Sequence, residues 1–202
     1  MIQLQGKFQK DITVAYSGGL DSAVALDFLA RKHNVHMLYI NHGDEVAKQE
    51  EHMAYIASKM YGLRLSVVYV EPFEQGCGLS REEYWRNKRY EIFHNVNEPV
   101  ITAHHLDDCV ETYVMNMLHG RMSTIPYRNK NVIRPFRLNR KSEFSYWASK
   151  HSVSYVEDPT NADITYAMRN RIRHEILPVM LKANPGLYTT IRNMMLKEKI
   201  ND

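Results

Sequence analysis

The chain has 202 residues, of which 44% are hydrophobic and 24% charged, and its formal net charge is +3 at pH 7. This composition is typical of a globular protein and the length fits one domain, or one domain with a small appendage, which excludes a mainly disordered chain. No apolar run is long enough to span a membrane and no secretory signal opens the sequence, so we expect a cytoplasmic protein without membrane contact.

Strands and helices alternate over the first 70 residues. β-favouring runs are interrupted by stretches with helical spacing of apolar side chains, and Gly62 closes the second of these stretches. Such alternation predicts an α/β fold with a doubly wound, mostly parallel sheet and right-handed crossovers. The predicted strands cover residues 12–16, 35–41 and 63–70, and the predicted helices cover 23–32 and 45–61.

The same alternation continues into the second half of the chain. Ser80 followed by Glu83 is a capping-box pattern, which predicts the start of a helix that ends near Val96. Further predicted elements are a strand over 99–103, a helix over 104–118, a helix over 142–150, a short strand over 153–156, a turn at 158–161, a basic helix over 165–182 bent at Pro178, and a terminal helix from Pro185.

Charge divides the chain into two parts. Residues 1–127 carry 12 basic and 16 acidic side chains, whereas residues 128–202 carry 14 basic and 7 acidic ones. We therefore predict an α/β body over 1–127 and a basic, mainly helical part over 128–202 that continues the same domain. A basic surface suits a polyanion such as nucleic acid, although a solvated basic face without a partner fits the charge count equally well.

A glycine-containing loop follows the first predicted strand. Ser17-Gly18-Gly19-Leu20-Asp21-Ser22 stands between that strand and the next helix, where backbone N–H groups and the helix dipole favour an anion. Two glycines allow close approach of a phosphate, the two serine hydroxyls can donate to its oxygens, and Asp21 can hold Mg²⁺. The loop is neither a Walker A sequence nor GxGxxG, and it predicts a phosphate site.

An acidic cluster follows the fourth predicted strand, in the run His104-His105-Leu106-Asp107-Asp108-Cys109-Val110-Glu111-Thr112. His104, Asp108 and Glu111 are spaced to share one helix face, which would point into the ligand cleft of a doubly wound sheet. Carboxylates there can recruit Mg²⁺, bind a cationic amine or accept a proton. Dipole pairing of the acids and simple packing of the histidine remain alternatives.

These motifs resemble a known family. SGGLDS is similar to the pyrophosphate loop of the N-type ATP pyrophosphatases, the PP-loop superfamily, and HHxDDxxET is similar to a motif of the tRNA(Ile)-lysidine synthetases within it. The resemblance covers about residues 12–183. The other motifs on which the resemblance rests are Arg86-x-x-Arg89-Tyr90, Arg134-Pro135, Asp158-Pro159-Thr160-Asn161, Arg169-Asn170-x-x-Arg173 and Leu177-Pro178.

The resemblance implies a Rossmann-like fold of the adenine-nucleotide α-hydrolase type and a specific reaction. ATP adenylates C2 of the wobble cytidine in a CAU-anticodon isoleucine tRNA, and free L-lysine then displaces AMP to form lysidine. The implied partners are therefore ATP, Mg²⁺, lysine and tRNA, and a homodimer also fits the family. Members generally continue into C-terminal domains that grip the tRNA, so this sequence, which ends at Asp202, is expected to be a short form.

The resemblance also implies residue roles. Asp21 would hold Mg²⁺, Asp108 and Glu111 would capture and deprotonate the amine, and Arg86 and Arg173 would neutralise phosphate or hold the lysine carboxylate. The residues expected to bind the nucleotide are Ser17, Gly18, Gly19, Asp21, Ser22, Asn41, His42 and His104. Asn41-His42-Gly43 also fits a simple strand-ending turn.

Three other functions compete with this one. An ATP pyrophosphatase of the same superfamily would adenylate another tRNA base or a small molecule, and a non-catalytic RNA-binding module would bind tRNA without releasing AMP. A tRNA thiolase would need paired cysteines for sulfur transfer, whereas Cys77 and Cys109 are single and form no CxxC pair. The thiolase is therefore disfavoured, and the other two remain open.

Overall fold

The computed structural model describes residues 1–43, 46–73, 78–157 and 168–198. Within these ranges the strands are β1 (Asp11–Ala15), β2 (Asn34–Asn41), β3 (Arg64–Tyr69), β4 (Val100–Ile101), β5 (Arg128–Asn129) and β6 (Val132–Ile133). The six strands form one sheet in the order β3-β2-β1-β4-β6-β5. Every neighbouring pair is parallel except the β5–β6 hairpin, which is antiparallel.

Helices cover both faces of the sheet. They are α1 (Leu20–Ala30), α2 (Ala47–Tyr61), α3 (Arg81–His94) and α5 (Lys141–His151). Alternate residues of one strand face opposite sides, because Met37 and Tyr39 of β2 belong to one core cluster while Leu38 and Ile40 belong to another. The first cluster includes side chains of α1, α2 and α5, and the second includes Phe93 of α3. The predicted doubly wound α/β fold is confirmed.

A third cluster joins the acidic helix to the helices of the C-terminal segment. Val110 and Val114 of α4 (Leu106–Leu118) are fully buried together with Ile172, Ile191 and Met195. The segment runs from α6 (Met168–Arg171) through a π-helical turn (Ile172–Ile176) into α7 (Leu177–Ala183) and ends with α8 (Leu187–Leu196). The wide turn stands just before Pro178, which cannot donate the backbone hydrogen bond of a regular helix. The segment is helical, as predicted.

Two local predictions are wrong. Residues 153–156 form no strand, because the Val156 N–H donates to the Gly18 carbonyl at 2.9 Å and this segment lies against the glycine loop instead of beside a strand. The fourth helix begins at Leu106, so His104 lies before it and shares no helix face with Asp108 and Glu111. The imidazole of His105 caps the helix by accepting from the Asp108 N–H, which fixes the later start.

One further prediction is confirmed in part, and others concern residues outside the described ranges. The Ser80 hydroxyl accepts from the Glu83 N–H at 3.2 Å, which is the first half of the predicted capping box. The turn at 158–161 and the first residues of the predicted basic helix lie outside the described residues, as does Cys77. In the described part of the chain, no helix has both the length and the apolar character needed to span a bilayer.

Candidate active site

The strand order places the two predicted motifs side by side. The chain leaves β1 toward β2 and β3, then returns to β4 on the other side of β1. That reversal opens a crevice at the carboxyl ends of β1 and β4, where open α/β sheets bind their ligands. The glycine loop follows β1, and the run His104–Glu111 follows β4.

Two serine hydroxyls hold the glycine loop in shape. The Ser22 hydroxyl donates to the Gly19 carbonyl at 3.0 Å and accepts from the Ser17 N–H at 3.0 Å. The Ser17 and Ser22 hydroxyl oxygens are 3.1 Å apart. Ser22 is buried in the first turn of α1, whereas Ser17 is exposed at the mouth of the loop. The loop is therefore formed in advance, with the first turn of α1 directed at the crevice.

Gly18 is required by both its conformation and its surroundings. Its φ of +81° lies in the left-handed region, which L-residues rarely adopt. A Cβ at this position would come within 3.3 Å of the Glu50 Cα on α2, a backbone atom that does not move easily. The Gly18 carbonyl is also held, because it accepts from the Val156 N–H. Close packing of α2 and the 153–156 segment thus fixes the loop from two sides.

His105 links the glycine loop to the acidic cluster. Its imidazole is buried, with Nε2 3.5 Å from Asp21 Oδ2. Nδ1 lies 3.3 Å from Asp108 Oδ2 and 3.7 Å from Asp107 Oδ2. The neutral ring accepts from the Asp108 N–H at Nδ1, whereas the imidazolium donates to the surrounding carboxylates. One ring therefore connects all three aspartates of the site.

The His105 ring and the carboxylates around it shift each other's pKa values. Burial lowers the pKa of His105, but Asp108, Asp21 and Asp107 outweigh it and raise the pKa above its ordinary value. Burial raises the pKa of Asp108, but His105, with smaller contributions from His104 and Arg169, holds it below the usual range. Asp108 is thus a carboxylate at neutral pH and a weak base.

The neighbouring His104 has the opposite character. Its Nδ1 lies 2.8 Å from the Thr102 hydroxyl. Burial, reinforced by Arg134, Arg169 and Arg89 and opposed by Asp108, lowers the pKa of His104 to about 3. The ring is therefore neutral at physiological pH and acts as a hydrogen-bonding group instead of a cation.

Because His104 is neutral in the folded chain, we expect part of the free energy of unfolding to be lost at acidic pH. An unfolded histidine titrates near 6.5, so as the pH falls from 6.5 toward 3 the unfolded chain takes up a proton that the folded chain refuses. The stabilisation is complete above pH 6.5 and is lost on acidification. Urea unfolding of His104→Asn should therefore depend less on pH in this window, by up to about 1.4 kcal/mol per pH unit. His119→Asn, at the exposed end of α4, is the control, and parallel curves for wild type and His104→Asn would refute the assignment.

Glu111 and Arg173, both predicted site residues, bind each other. Arg173 donates through Nε to Glu111 Oε1 at 2.6 Å and through Nη2 to Oε2 at 3.1 Å. Arg169 Nε lies 3.6 Å from Glu111 Oε2, and its Nη2 donates to the Thr112 hydroxyl. The Glu111 side chain is 2% exposed, whereas the side chains of Arg169 and Arg173 are 28% and 25% exposed. Glu111 is thereby engaged at both oxygens, and Arg173 is held in a fixed orientation.

A cavity of about 150 Å³ opens beside this ion pair. Its wall carries two carboxylates, Asp107 and Glu111, and the guanidinium of Arg173, so it presents both signs of charge. Burial and the nearby Asp107 raise the pKa of Tyr188 on its rim to about 12. The remaining lining residues are Lys141, Leu177, Pro178 and Leu181. Charged groups of both signs around a small apolar space suit a zwitterionic molecule of amino-acid size.

The other predicted site residues lie at the edges of this arrangement. Arg86 is exposed, with its Cζ 5.6 Å from the centre of the Tyr90 ring, and among the described residues it makes no contact with the glycine loop or the acidic cluster. Asn41 donates to Glu51 at 2.6 Å and accepts from the Gly43 N–H, the geometry of a strand-ending turn. The ring of His42 is tilted by 51° against that of Trp85, with the ring centres 4.7 Å apart.

Asp21 has the chemistry to receive a cation. Its Oδ1 is buried and has no hydrogen-bond partner among the described residues, which is costly for a carboxylate oxygen unless a ligand satisfies it. In the same part of the chain, no group of three or more His, Cys, Asp or Glu is arranged to hold a metal. Mg²⁺ at Asp21 would therefore complete its coordination with phosphate oxygens and water, as this ion commonly does.

Sequence reasoning missed three residues of the site. His105, Asp107 and Arg169 lie between the predicted groups and hold them together. A signal existed for His105, because a polar residue directly before a helix and three residues ahead of an acid is a capping pattern. Nothing local marked Arg169 as a partner of Glu111, which lies 58 positions earlier. Cys109 adds no chemistry, because burial raises the pKa of its thiol to about 12.

Comparison with known proteins places the chain in a domain family. The PP-loop domain family matches residues 2–180. The tRNA(Ile)-lysidine synthase of Thermosipho africanus is 31% identical over 196 residues, which covers 86% of this chain and 44% of that protein. The synthase of Hydrogenovibrio crunogenus is 34% identical over 194 residues, which covers 85% of this chain and 45% of that protein. The chain thus spans less than half the length of these curated relatives.

A solved structure supports the fold. The NH3-dependent NAD synthetase from Campylobacter jejuni superposes with a TM-score of 0.51 at 15% identity, covering 98% of this chain and 90% of that one. The likeness extends over nearly the whole of both chains, and it concerns the fold alone.

Proposed function

The chain belongs to the PP-loop domain family, and on that premise we propose that it is a tRNA(Ile)-lysidine synthetase. It would adenylate C2 of the wobble cytidine of a CAU-anticodon isoleucine tRNA with ATP, and then exchange AMP for lysine. The observation that carries this proposal is the junction at His105, which joins a preformed phosphate loop to an acidic cluster beside a cavity of amino-acid size. Relatives of about 30% identity that bear this name support it.

The first step requires ATP to be held with its α phosphorus open to attack. The N–H groups and hydroxyls of Ser17–Ser22 would bind the phosphates, and Asp21 would hold Mg²⁺ through its free Oδ1. The bound ion would supply charge neutralisation for the departing pyrophosphate. His105, fixed between Asp21 and Asp108, would keep both carboxylates in place while negative charge develops on the departing pyrophosphate. His104 is neutral and hydrogen-bonded to the Thr102 hydroxyl. Its ring would donate a hydrogen bond to the nucleotide or the cytosine, or accept one from it.

The second step requires a lysine amine to reach the activated base. Asp107 and Asp108 carry negative charge near the cavity and the crevice, and would bind the ammonium. Because its pKa is lowered, Asp108 would orient the amine and accept its proton only as the new C–N bond makes the nitrogen acidic. Arg173, oriented by Glu111, would hold the lysine carboxylate. In this account Glu111 positions Arg173 and is not itself the base.

The RNA would lie against the basic part of the chain. We propose that residues 128–202 continue the domain formed by 1–127, because β6 pairs with β4 inside the same sheet and α8 packs on α4. Their excess of basic side chains would contact phosphates of the tRNA. Binding is then expected to weaken steeply as the salt concentration rises.

Label transfer separates this proposal from its rivals. ATP labelled at the α phosphate is incubated with the protein, Mg²⁺ and a CAU-anticodon isoleucine tRNA transcript, first without lysine. We expect label on the RNA, and its release as AMP when lysine is added. Label on a small molecule without RNA would favour the other adenylating enzymes, and RNA binding with no label transfer would favour a non-catalytic module. Either result would refute the proposal.

A further inference from the structure

Four aromatic side chains form a chain of ring contacts outside the hydrophobic core. The Phe73 and Tyr84 ring centres are 5.5 Å apart, those of Tyr84 and Trp85 5.0 Å, and those of Trp85 and His42 4.7 Å. All four side chains are partly exposed, and none belongs to the three core clusters of the described residues. Each ring therefore leaves part of its surface in solvent, where a planar apolar group can pack against it.

These rings lie at the edge of the sheet that carries the candidate active site. His42 follows β2 directly, and Phe73 follows β3 by four residues. Tyr84 and Trp85 are in the first turns of α3, the helix that leaves that same edge. The carboxyl ends of parallel strands meet at one edge, so the rings flank the crevice on its β2–β3 side.

Positive charge accompanies the rings. The Lys88 ammonium lies 5.9 Å from the centre of the Tyr84 ring, one helical turn along α3. Arg86 and Arg89 are exposed on the same helix. Aromatic rings with interleaved cations are the surface that single-stranded nucleic acids use, because bases stack on the rings while phosphates pair with the cations.

We propose that Phe73, Tyr84, Trp85 and His42 form a platform on which unpaired nucleobases of the RNA substrate stack. This inference rests on the proposed function, because it assumes an RNA substrate whose target base lies in the crevice. The platform would hold loop nucleotides adjacent to that base and so favour a single-stranded loop over a duplex. Adenine of ATP is the competing occupant, but one base covers about one ring, whereas the platform runs through three ring-to-ring steps and is flanked by several cations.

The test compares matched variants. Tyr84 and Phe8 are each partly exposed and each has its ring against another aromatic ring, but Phe8 contacts His33 directly before β2, at the opposite edge of the sheet from the platform. Affinity for a hairpin RNA with CAU in its loop is measured by fluorescence anisotropy at fixed salt. Trp85→Leu and Tyr84→Leu should each bind the hairpin about ten-fold more weakly, and Phe8→Leu should bind as wild type. Affinity for a paired duplex and for ATP should be unchanged in all three.

A second measurement uses the unmodified protein, so the test does not depend on a variant that folds. The sequence has two tryptophans, and Trp147 is tied to Asp27 on the α1–α5 side, so a loop RNA that stacks on the platform should quench only Trp85. Quenching by the hairpin but not by ATP or duplex is the expected result. Quenching by ATP alone, or unchanged hairpin affinity in Trp85→Leu, would overturn the platform.

Failure of the platform and failure of the proposed function give different results. If the hairpin stacks on Trp85 but no lysidine forms, the platform stands and the proposed function fails. If lysidine forms at the wild-type rate in Trp85→Leu with unchanged RNA affinity, the function stands and the platform fails.

Discussion

The Asp21→Asn variant is expected to lose at least about 100-fold of the tRNA- and lysine-dependent AMP release while remaining folded. Asparagine preserves the shape of the side chain and can still accept from His105, but it cannot supply the negative charge that a cation at the buried Oδ1 requires. Because the lost interaction acts on the departing pyrophosphate, the turnover rate should fall more than the affinity for tRNA.

The control lies at the start of β1, the strand that precedes the glycine loop. Asp11 begins β1 and accepts from the Asn34 side chain on the exposed surface, so Asp11→Asn should turn over as wild type. AMP release is measured over a range of Mg²⁺ concentrations for both variants. Wild-type turnover by Asp21→Asn at every Mg²⁺ concentration would eliminate Asp21 as the metal ligand.

Replacement of Glu111 by glutamine is expected to reduce both stability and activity. The carboxylate is 2% exposed and forms ion pairs with two arginines. Its loss therefore leaves Arg173 and Arg169 partly buried without a counter-charge. We expect a loss of about 2 kcal/mol or more in the free energy of unfolding, below the full cost of breaking a buried pair because the arginines keep some solvent. Arg173 would also lose its bidentate orientation, so the KM for lysine should rise.

The control is an exposed ion pair on the C-terminal helical segment, which also carries Arg173. Glu175 lies 3.7 Å from Arg171, and both side chains are more than half exposed, so Glu175→Gln should cost less than about 1 kcal/mol. Urea unfolding at pH 7 compares the two variants with wild type. Equal midpoints for Glu111→Gln and Glu175→Gln would show that the Glu111–Arg173 pair does not stabilise the fold.

Sequence reasoning succeeded where the determining interactions are local. The alternation of strands with helices, and the glycine loop directly after β1, follow from neighbouring residues, and both are present in the structure. The segment over 153–156 has strand-forming residues as well, but its β propensity carries no information about a pairing partner, and its backbone binds the Gly18 carbonyl instead.

The site itself is less accessible from sequence because its contacts are long-range. Glu111 and Arg173 are 62 positions apart and belong to different motifs, so the resemblance implies a separate role for each, whereas the structure makes them one bidentate pair. His105 connects Asp21 with Asp108 only because β1 and β4 are adjacent in the sheet. Motif matching can name such residues, but the division of labour among them follows from the topology.

Mass spectrometry of nucleosides detects lysidine itself. A CAU-anticodon isoleucine tRNA transcript is incubated with the protein, ATP, Mg²⁺ and lysine, then digested and compared with reactions that lack ATP or contain Asp21→Asn. We expect one cytidine to gain the mass of lysine less water, only when ATP and wild-type protein are present. Release of AMP and pyrophosphate from ATP with every cytidine unmodified would rule out lysidine synthesis.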